Sequence, residues 1–134
     1  MPNHNMQGGL ETLKVYKLAV RLEVFVHRVL NEKFPRDEKY RSIDQLKRSS
    51  SSVADNIAES YGKFSYGAKI NSLFIARGEI EETKSGILRA HKKNFISKEL
   101  SDFIINKYTD LHKQLNGYIR FLKNERKNKQ PLST

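Results

Sequence analysis

Apolar residues return every three or four positions along most of the chain, the spacing that lines one face of an α-helix. No strand-like alternation interrupts this pattern. From Leu10 to Lys33 there is no glycine or proline, and Val15, Leu18, Leu22, Phe25, Val26, Val29 and Leu30 form a wide apolar face, which predicts a first helix. Phe34-Pro35-Arg36-Asp37 ends it, because proline disfavours helix at the residue before it, and Asp37 is a candidate N-cap for the next helix. A second helix then reaches about Tyr61, with Ile43, Leu46, Val53, Ile57 and Tyr61 on one face. Gly62 to Ser65 reads as a turn, with Ser65 as a candidate cap. The third helix covers about Tyr66 to His91 and points Ile70, Leu73, Phe74, Ile80, Ile87 and Leu88 inward. Lys92 to Phe95 turns the chain, and Ser97 starts a fourth helix. Its residues Leu100, Ile104, Tyr108, Leu111, Leu115, Ile119 and Leu122 make the most regular apolar seam in the sequence.

Four helices of similar length with short connections predict an all-α fold, an antiparallel up-down-up-down four-helix bundle over residues 10–124. Residues 1–9 are expected to be a loose leader and residues 125–134 a polar basic tail. Two features modify this picture. Ser49 to Ser52 are poor helix formers, because their hydroxyls compete for backbone partners. Inside a helix they supply small side chains where another backbone comes close; otherwise they form a solvent loop between two shorter helices. Leu13, Tyr16, Val20 and Val24 form a second apolar strip on the first helix. A helix that is apolar on two sides must bury both, so this strip is a candidate subunit interface, the alternative being scattered exposed aliphatics.

The length of 134 residues fits one domain with a real core. With no cysteine there is no disulfide framework and no thiolate metal site. No leader of the secretory type opens the sequence and no apolar run approaches a membrane span, so a soluble cytoplasmic protein without a membrane partner is expected. The 25 basic and 15 acidic residues leave a formal charge of +10, with the excess leaning toward the C-terminal half. Such a balance favours polyanionic partners and says nothing about fold.

Gln45-Leu46, Arg48, the small run from Ser49, Val53 and Asn56-Ile57-Ala58-Glu59 resemble the 23S ribosomal RNA intervening-sequence protein family, also called the four-helix bundle protein family. Leu73-Phe74-Ile75-Ala76-Arg77-Gly78, followed by Ile80 and Glu82, carries a second match. Two positions depart from the family's habit: Ser60 stands where a glycine usually follows the glutamate, and Glu79 where a serine follows Gly78. The likeness runs from about Leu13 to Lys123, and through it Asn56, Glu59 and Gly78 stand out as a structural motif. The resemblance implies a four-helix bundle that often assembles as a ring-like homopentamer. It also implies a kinship with accessory proteins of diversity-generating retroelements, in which a basic pentamer binds reverse transcriptase and nucleic acid.

The search for catalytic chemistry returns little. Gly62 to Lys69 fails as a phosphate-binding loop, since no lysine directly follows Gly67 and no strand precedes the segment. His4, His27, His91 and His112 are far apart, and no Glu-x-x-His pair of the di-iron type occurs. Glu79, Glu81 and Glu82 read as a solvated acidic face paired with Arg77, Lys84 or Lys69 rather than as a metal site. The serine run lacks a local histidine to activate a nucleophile. Asn56 and Glu59 are read as structural, hydrogen-bonded to Arg48 or to a neighbouring helix end. No enzyme activity and no cofactor are expected.

The basic residues remain. Lys14, Lys17, Arg21 and Arg28 form a stripe on the first helix. Arg41, Lys47 and Arg48 lie near the start of the second, and Lys92 and Lys93 add a loop patch. Arg120, Lys123, Arg126, Lys127 and Lys129 crowd the C-terminal end against Glu125 alone. Lys63 and Lys69 lie beside Tyr61, Phe64 and Tyr66, a setting for base stacking. The leading expectation is a non-enzymatic protein that binds RNA or another nucleic acid, as an oligomeric accessory factor. The alternative is a protein-interaction scaffold that docks an acidic protein or a polymerase. A highly charged solubilising surface is the blander account of the same residues.

Overall fold

The structure, a computed structural model, describes residues 9–129, and those residues form four α-helices with no strand among them. They are α1 (Lys14–Lys33), α2 (Asp44–Gly62), α3 (Tyr66–Lys92) and α4 (Lys98–Lys129). The expected leader lies outside the described residues except for Gly9. A short 3-10 turn at Leu10–Thr12 precedes α1. It is divided from the helix by Leu13, whose extended backbone stops the first helix from starting at Leu10.

α1 ends where the proline rule places the end: Phe34 is extended (φ −82°, ψ 143°) ahead of Pro35. The next helix does not begin at Asp37. A 3-10 turn, Arg36–Glu38, passes into a wide π-type turn, Lys39–Ile43, in which Arg41 leaves helical geometry altogether (φ −124°, ψ −108°). Glu38, not Asp37, acts as the cap; its carboxylate accepts hydrogen bonds from the backbone N–H and the hydroxyl of Ser42. Only from Asp44 is the helix regular. The other two N-termini follow the sequence. Ser65 Oγ accepts from Ala68 N at 3.1 Å, and Ser97 Oγ accepts from Leu100 N at 3.1 Å. α3 closes on Asn94, which takes the left-handed conformation (φ 65°) while Phe95 N–H reaches back to the Ala90 carbonyl at 2.9 Å. Phe95 is thereby placed against Phe34, with ring centroids 5.3 Å apart.

The seam of α4 is buried as its periodicity predicts, except that Leu100 is half-buried. Two positions assigned inward on α3 turn out to be surface: Phe74 is 39% exposed and Leu88 46%. Ala76, Thr83, Gly86 and Ala90 take the buried stripe instead. On α1, Ala19 is buried while Leu18 and Phe25 are half-buried. Small residues therefore mark the tight contacts better than large ones do. α4 does not stop at Asn124 but continues to Lys129. Residues 124–129 hold no glycine or proline, the Glu125–Lys129 ion pair (3.7 Å) spans one turn, and the terminal cations complement the helix dipole. Residues 130–134 of the expected tail lie outside the described residues. No described helix is long and apolar enough to cross a membrane.

The serine run is helical. Ser49 and Ser50 are fully buried, and α2 packs more extensively on α3 than any other two helices pack together. The buried hydroxyls are satisfied: Ser50 Oγ donates to the Leu46 carbonyl at 2.7 Å, and Thr83 Oγ1 donates to Ser49 Oγ at 2.8 Å. At the same contact a Cβ on Gly86 would fall 2.6 Å from Leu46 Cδ2. Gly78, by contrast, is exposed, and a Cβ there would meet nothing within 4 Å.

These contacts fix the expected effects of three substitutions on urea or thermal unfolding. Leu46→Ala destabilises by about 2–5 kcal/mol, as for a buried leucine. Gly86→Ala destabilises by about 1–3 kcal/mol through overpacking. Gly78→Ala stabilises by about 0.5–1 kcal/mol, since it removes an exposed mid-helix glycine. Equal behaviour of the two glycine variants would contradict the packing described here.

Tyr108 gives a pH-dependent expectation. It is fully buried, and its hydroxyl has no hydrogen-bond partner among the described residues. Burial, and after it the charge of Glu23, raises its pKa well above the ordinary phenol value. The folded chain thus holds this proton more tightly than the unfolded chain. The stability contributed is complete below about pH 10 and is lost as pH climbs toward the folded value, by at most ~1.4 kcal/mol per pH unit. Tyr108→Phe removes that slope in urea titrations above pH 10 and, at neutral pH, changes stability by no more than about 1 kcal/mol, because no bond is lost.

Candidate polyanion-binding groove

Lys14, Lys17 and Arg21 fall at i, i+3 and i+7 on α1, so one stripe of the helix carries all three. Opposite them, α4 presents Lys107, Asp110 and Gln114 at the same spacing. Between the two helices lies a groove of about 780 Å³, floored by Leu13, Leu18 and Tyr118. Four cations thus rim an apolar floor, and Asp110 is the sole carboxylate in the lining. Among the described residues no carboxylate lies within ion-pair distance of Lys14, Lys17, Arg21 or Lys107. Lys107 instead sits over the Phe103 ring, 5.5 Å from its centroid. Tyr118 is half-buried and stacks on Phe121 (6.3 Å, 12°), and burial raises its pKa. Lys107 was missed by sequence reasoning. Its signal is its offset from the α4 seam, which places 107, 110 and 114 together beside the buried stripe.

The remaining predicted residues scatter. Arg28 is exposed beyond the groove. Arg41 and Arg48 face a separate hollow between the start of α2 and the end of α3. Lys47 lines a third hollow, with Glu32, Arg36 and Lys39. Lys63 is exposed in the α2–α3 turn. Lys69 has a structural job: its Nζ donates to the Ser60 and Tyr61 carbonyls at 3.3 and 3.1 Å and so caps α2. Phe64 is wholly exposed. Lys123 is exposed and lies 5.4 Å from the Phe74 ring centroid, while Arg120 and Lys127 are exposed and Arg126 is half-buried.

The structure corrects the expected partners of Asn56 and Glu59 and shows how the second apolar strip of α1 is covered within one copy. Asn56 does not reach Arg48 or another helix; its Nδ2 donates to the Ser52 carbonyl and hydroxyl at 2.9 and 3.0 Å, one turn back. Glu59 is exposed and has no hydrogen-bond or ion-pair partner among the described residues. Leu13, Tyr16 and Val20 are half-buried against the chain's own core, and only Val24, at 50%, is open. The second strip of α1 is thus partly covered from within one copy, with Val24 left open.

The acidic cluster divides. Glu81 accepts from His112 Nδ1 at 2.7 Å and lies 3.6 Å from Lys84, whereas Arg77 leaves the cluster to donate to Asn116 Oδ1 at 2.8 Å. Glu79 is half-buried. Burial holds its carboxyl above the usual range, the charge of Glu82 adds to the effect, and Arg48 partly offsets it. No group of three His, Cys, Asp or Glu placed to hold a metal occurs among the described residues.

Folding also supplies the histidine that the serine run lacks in sequence. His27 Nε2 lies 3.4 Å from Ser51 Oγ. The arrangement is still not that of an activated nucleophile. The Ser51 hydroxyl donates to Glu23 Oε2 at 3.0 Å, so the acid takes the serine's proton position instead of orienting the imidazole from behind. The trio is a polar clasp between α1 and α2.

Residues 11–117 match the model of the 23S rRNA-intervening sequence protein family. The chain belongs to that family. A crystal structure of a protein of unknown function from the S23 ribosomal protein family of Bacteroides thetaiotaomicron is similar, with 30% identity and a TM-score of 0.66 over 79% of this chain and 94% of that one. No curated protein matches the chain. Within the 23S rRNA-intervening sequence family match lie the α1 wall of the groove and Lys107, Asp110 and Gln114; Tyr118 and the basic end of α4 fall beyond it.

Proposed function

We propose that this member of the 23S rRNA-intervening sequence family is a non-enzymatic RNA-binding bundle that works as a homo-oligomer. The observation that carries the reading is the groove between α1 and α4. Its four unpaired cations have the sign a phosphate backbone requires, and the Tyr118 face and its aliphatic neighbours suit an unstacked base. An apolar floor beneath the cations favours single-stranded RNA, whose unpaired bases are free to reach it, over duplex. The helices are arranged up-down-up-down; the Arg77–Asn116 and Glu81–His112 bonds support this, since one helix ascends in number as the other descends. Oligomerisation in a ring is supported by the apolar side chains that one copy leaves open, Val24, Ile75, Leu88, Phe103 and Phe121 among them. The same exposed side chains favour a second reading, a scaffold that docks a protein such as a polymerase.

Filter binding with a single-stranded oligoribonucleotide over a salt series tests the first reading. Four phosphate contacts give a log–log slope near −3, at about −0.7 per phosphate. Joint charge reversal, Lys17→Glu with Arg21→Glu, weakens binding by about tenfold or more and leaves the circular dichroism spectrum unchanged. Absence of binding at low salt, or binding indifferent to the reversal, rejects the groove as the RNA site. Co-purification of a protein partner under those conditions would then favour the scaffold.

A further inference from the structure

A second cationic site lies away from the groove. Between the start of α2 and the end of α3 is a hollow of about 380 Å³, within the ~300–1,000 Å³ of small-ligand sites. Its floor follows from the sequence. Gly86 and Ala90 are one turn apart on α3 and carry almost no side chain, so the helix surface is scooped out against Leu46. Four of the long side chains beside that scoop are basic, and Glu38, Tyr40 and Gln45 complete the rim. Arg89 and Lys93 come from α3, Arg41 from the π-type turn and Arg48 from the first turns of α2.

These four cations have no carboxylate within ion-pair distance among the described residues. Arg89 Nη1 donates only to the Ser85 hydroxyl, at 2.7 Å, and Lys93 rests 5.9 Å from the Phe95 ring centroid. The acids that line the hollow are Glu38 and Asp44. Glu38 is already engaged by Ser42, and that bond, ahead of Lys93 and Arg41, keeps its carboxyl below the usual range. Tyr40 stands at the mouth, 84% exposed, with Lys39 Nζ 5.4 Å from its ring centroid.

We propose that this hollow is a phosphoryl-end pocket, which takes the terminal monophosphate of a nucleotide under Arg48, Arg89 and Lys93 and stacks its base on Tyr40. Arginine is suited to this task because its planar fork bonds two oxygens of one phosphate at once, and a terminal monophosphate presents more charge and more free oxygens than an internal diester. The α1–α4 groove is larger and carries its cations along two helices; the smaller, half-open hollow, with cations converging from two helices and a turn, accepts an end. The nucleotide is either the first residue of an RNA strand or a free mononucleotide. The first of these rests on the RNA-binding reading and the second does not.

The full chain is titrated by fluorescence anisotropy with a short oligoribonucleotide carrying either a 5′-monophosphate or a 5′-hydroxyl, and by calorimetry with adenosine monophosphate and with inorganic phosphate. For a strand end, the phosphorylated oligonucleotide binds about tenfold or more tightly than its hydroxyl twin. The double variant Arg48→Gln with Arg89→Gln abolishes that preference but keeps the residual affinity, whereas Lys17→Glu with Arg21→Glu weakens both oligonucleotides and keeps the preference. Tyr40→Ala lowers affinity for the phosphorylated strand with less effect on inorganic phosphate. If neither oligonucleotide binds but adenosine monophosphate does, and the double glutamine variant loses it, the pocket stands with a free nucleotide as its ligand and the RNA reading falls alone. Equal binding of the two oligonucleotides with no mononucleotide binding overturns the pocket. So does a preference that survives the double glutamine substitution in a folded variant.

Discussion

At the centre of the bundle α3 comes so near to α2 that residue 86 has room for a hydrogen and nothing more beside Leu46. That approach requires small residues on both sides. α2 supplies Ser49, Ser50 and Ala54, and α3 supplies Ala76, Thr83, Gly86 and Ala90, all buried. Small polar residues at such a contact could leave orphaned hydroxyls, but here each finds a carbonyl or another hydroxyl within hydrogen-bond distance. The cost of serine in a helix interior is offset because the hydroxyl bonds the carbonyl one turn back, or a neighbouring helix, instead of unwinding its own. Once α2 and α3 lie this close, the large side chains of α1 and α4 close the remaining space around Tyr108 and its neighbours.

The same approach shapes the surface. Where α3 carries glycine and alanine, the Leu46 side chain packs directly against Gly86 and the surface dips beside it, with basic residues at the ends of the two helices around the dip. Where α1 and α4 meet through longer side chains, they stand apart, and a groove opens with an aliphatic floor. A packing choice in the interior thus sets the size of the concavity found outside: a smaller hollow over the tight pair, a larger groove over the loose one.

Element type and the α4 seam were legible because their signal is long and periodic, and caps such as Ser65 and Ser97 were legible because the chemistry is local. The α3 face was misread at Phe74 and Leu88. Size alone does not mark burial on α3, whose buried stripe mixes Ile70, Leu73, Ile80 and Ile87 with Ser72, Ala76, Thr83, Gly86 and Ala90 while Phe74 and Leu88 face outward. The start of α2 was misplaced because Asp37 and Glu38 offer equal capping chemistry one residue apart. Which of them captures Ser42 depends on where Pro35 directs the chain. Gly78 and Gly86 look alike in sequence, and only the distance to Leu46 separates a replaceable glycine from one held by packing. Of the basic residues, the α1 stripe was visible from spacing. Its partner Lys107 and the convergence of Arg41 and Arg48 with Arg89 were not, since they join segments far apart in the chain.

The net charge of +10 acquires meaning from how the acids are used. Glu81 holds His112 and Lys84, Asp102 holds Lys98, Glu125 faces Lys129, Glu38 holds Ser42 and Glu23 accepts from Ser51. These are bonds within the bundle; Asp110 in the groove, and Glu38 and Asp44 in the hollow, line the same concavities as the cations but lie beyond ion-pair distance of them. A merely solubilising surface would intersperse the two signs. Here several acids are occupied one turn away or across a helix pair, others such as Glu59 stand exposed without a partner among the described residues, and two sets of four unpaired cations line the two concavities. Concavity matters because field lines from several cations converge in a low-dielectric recess and are screened less than on an open face. The cations that line the groove and the hollow, more than the total charge, are therefore where this surface has capacity for an anionic ligand.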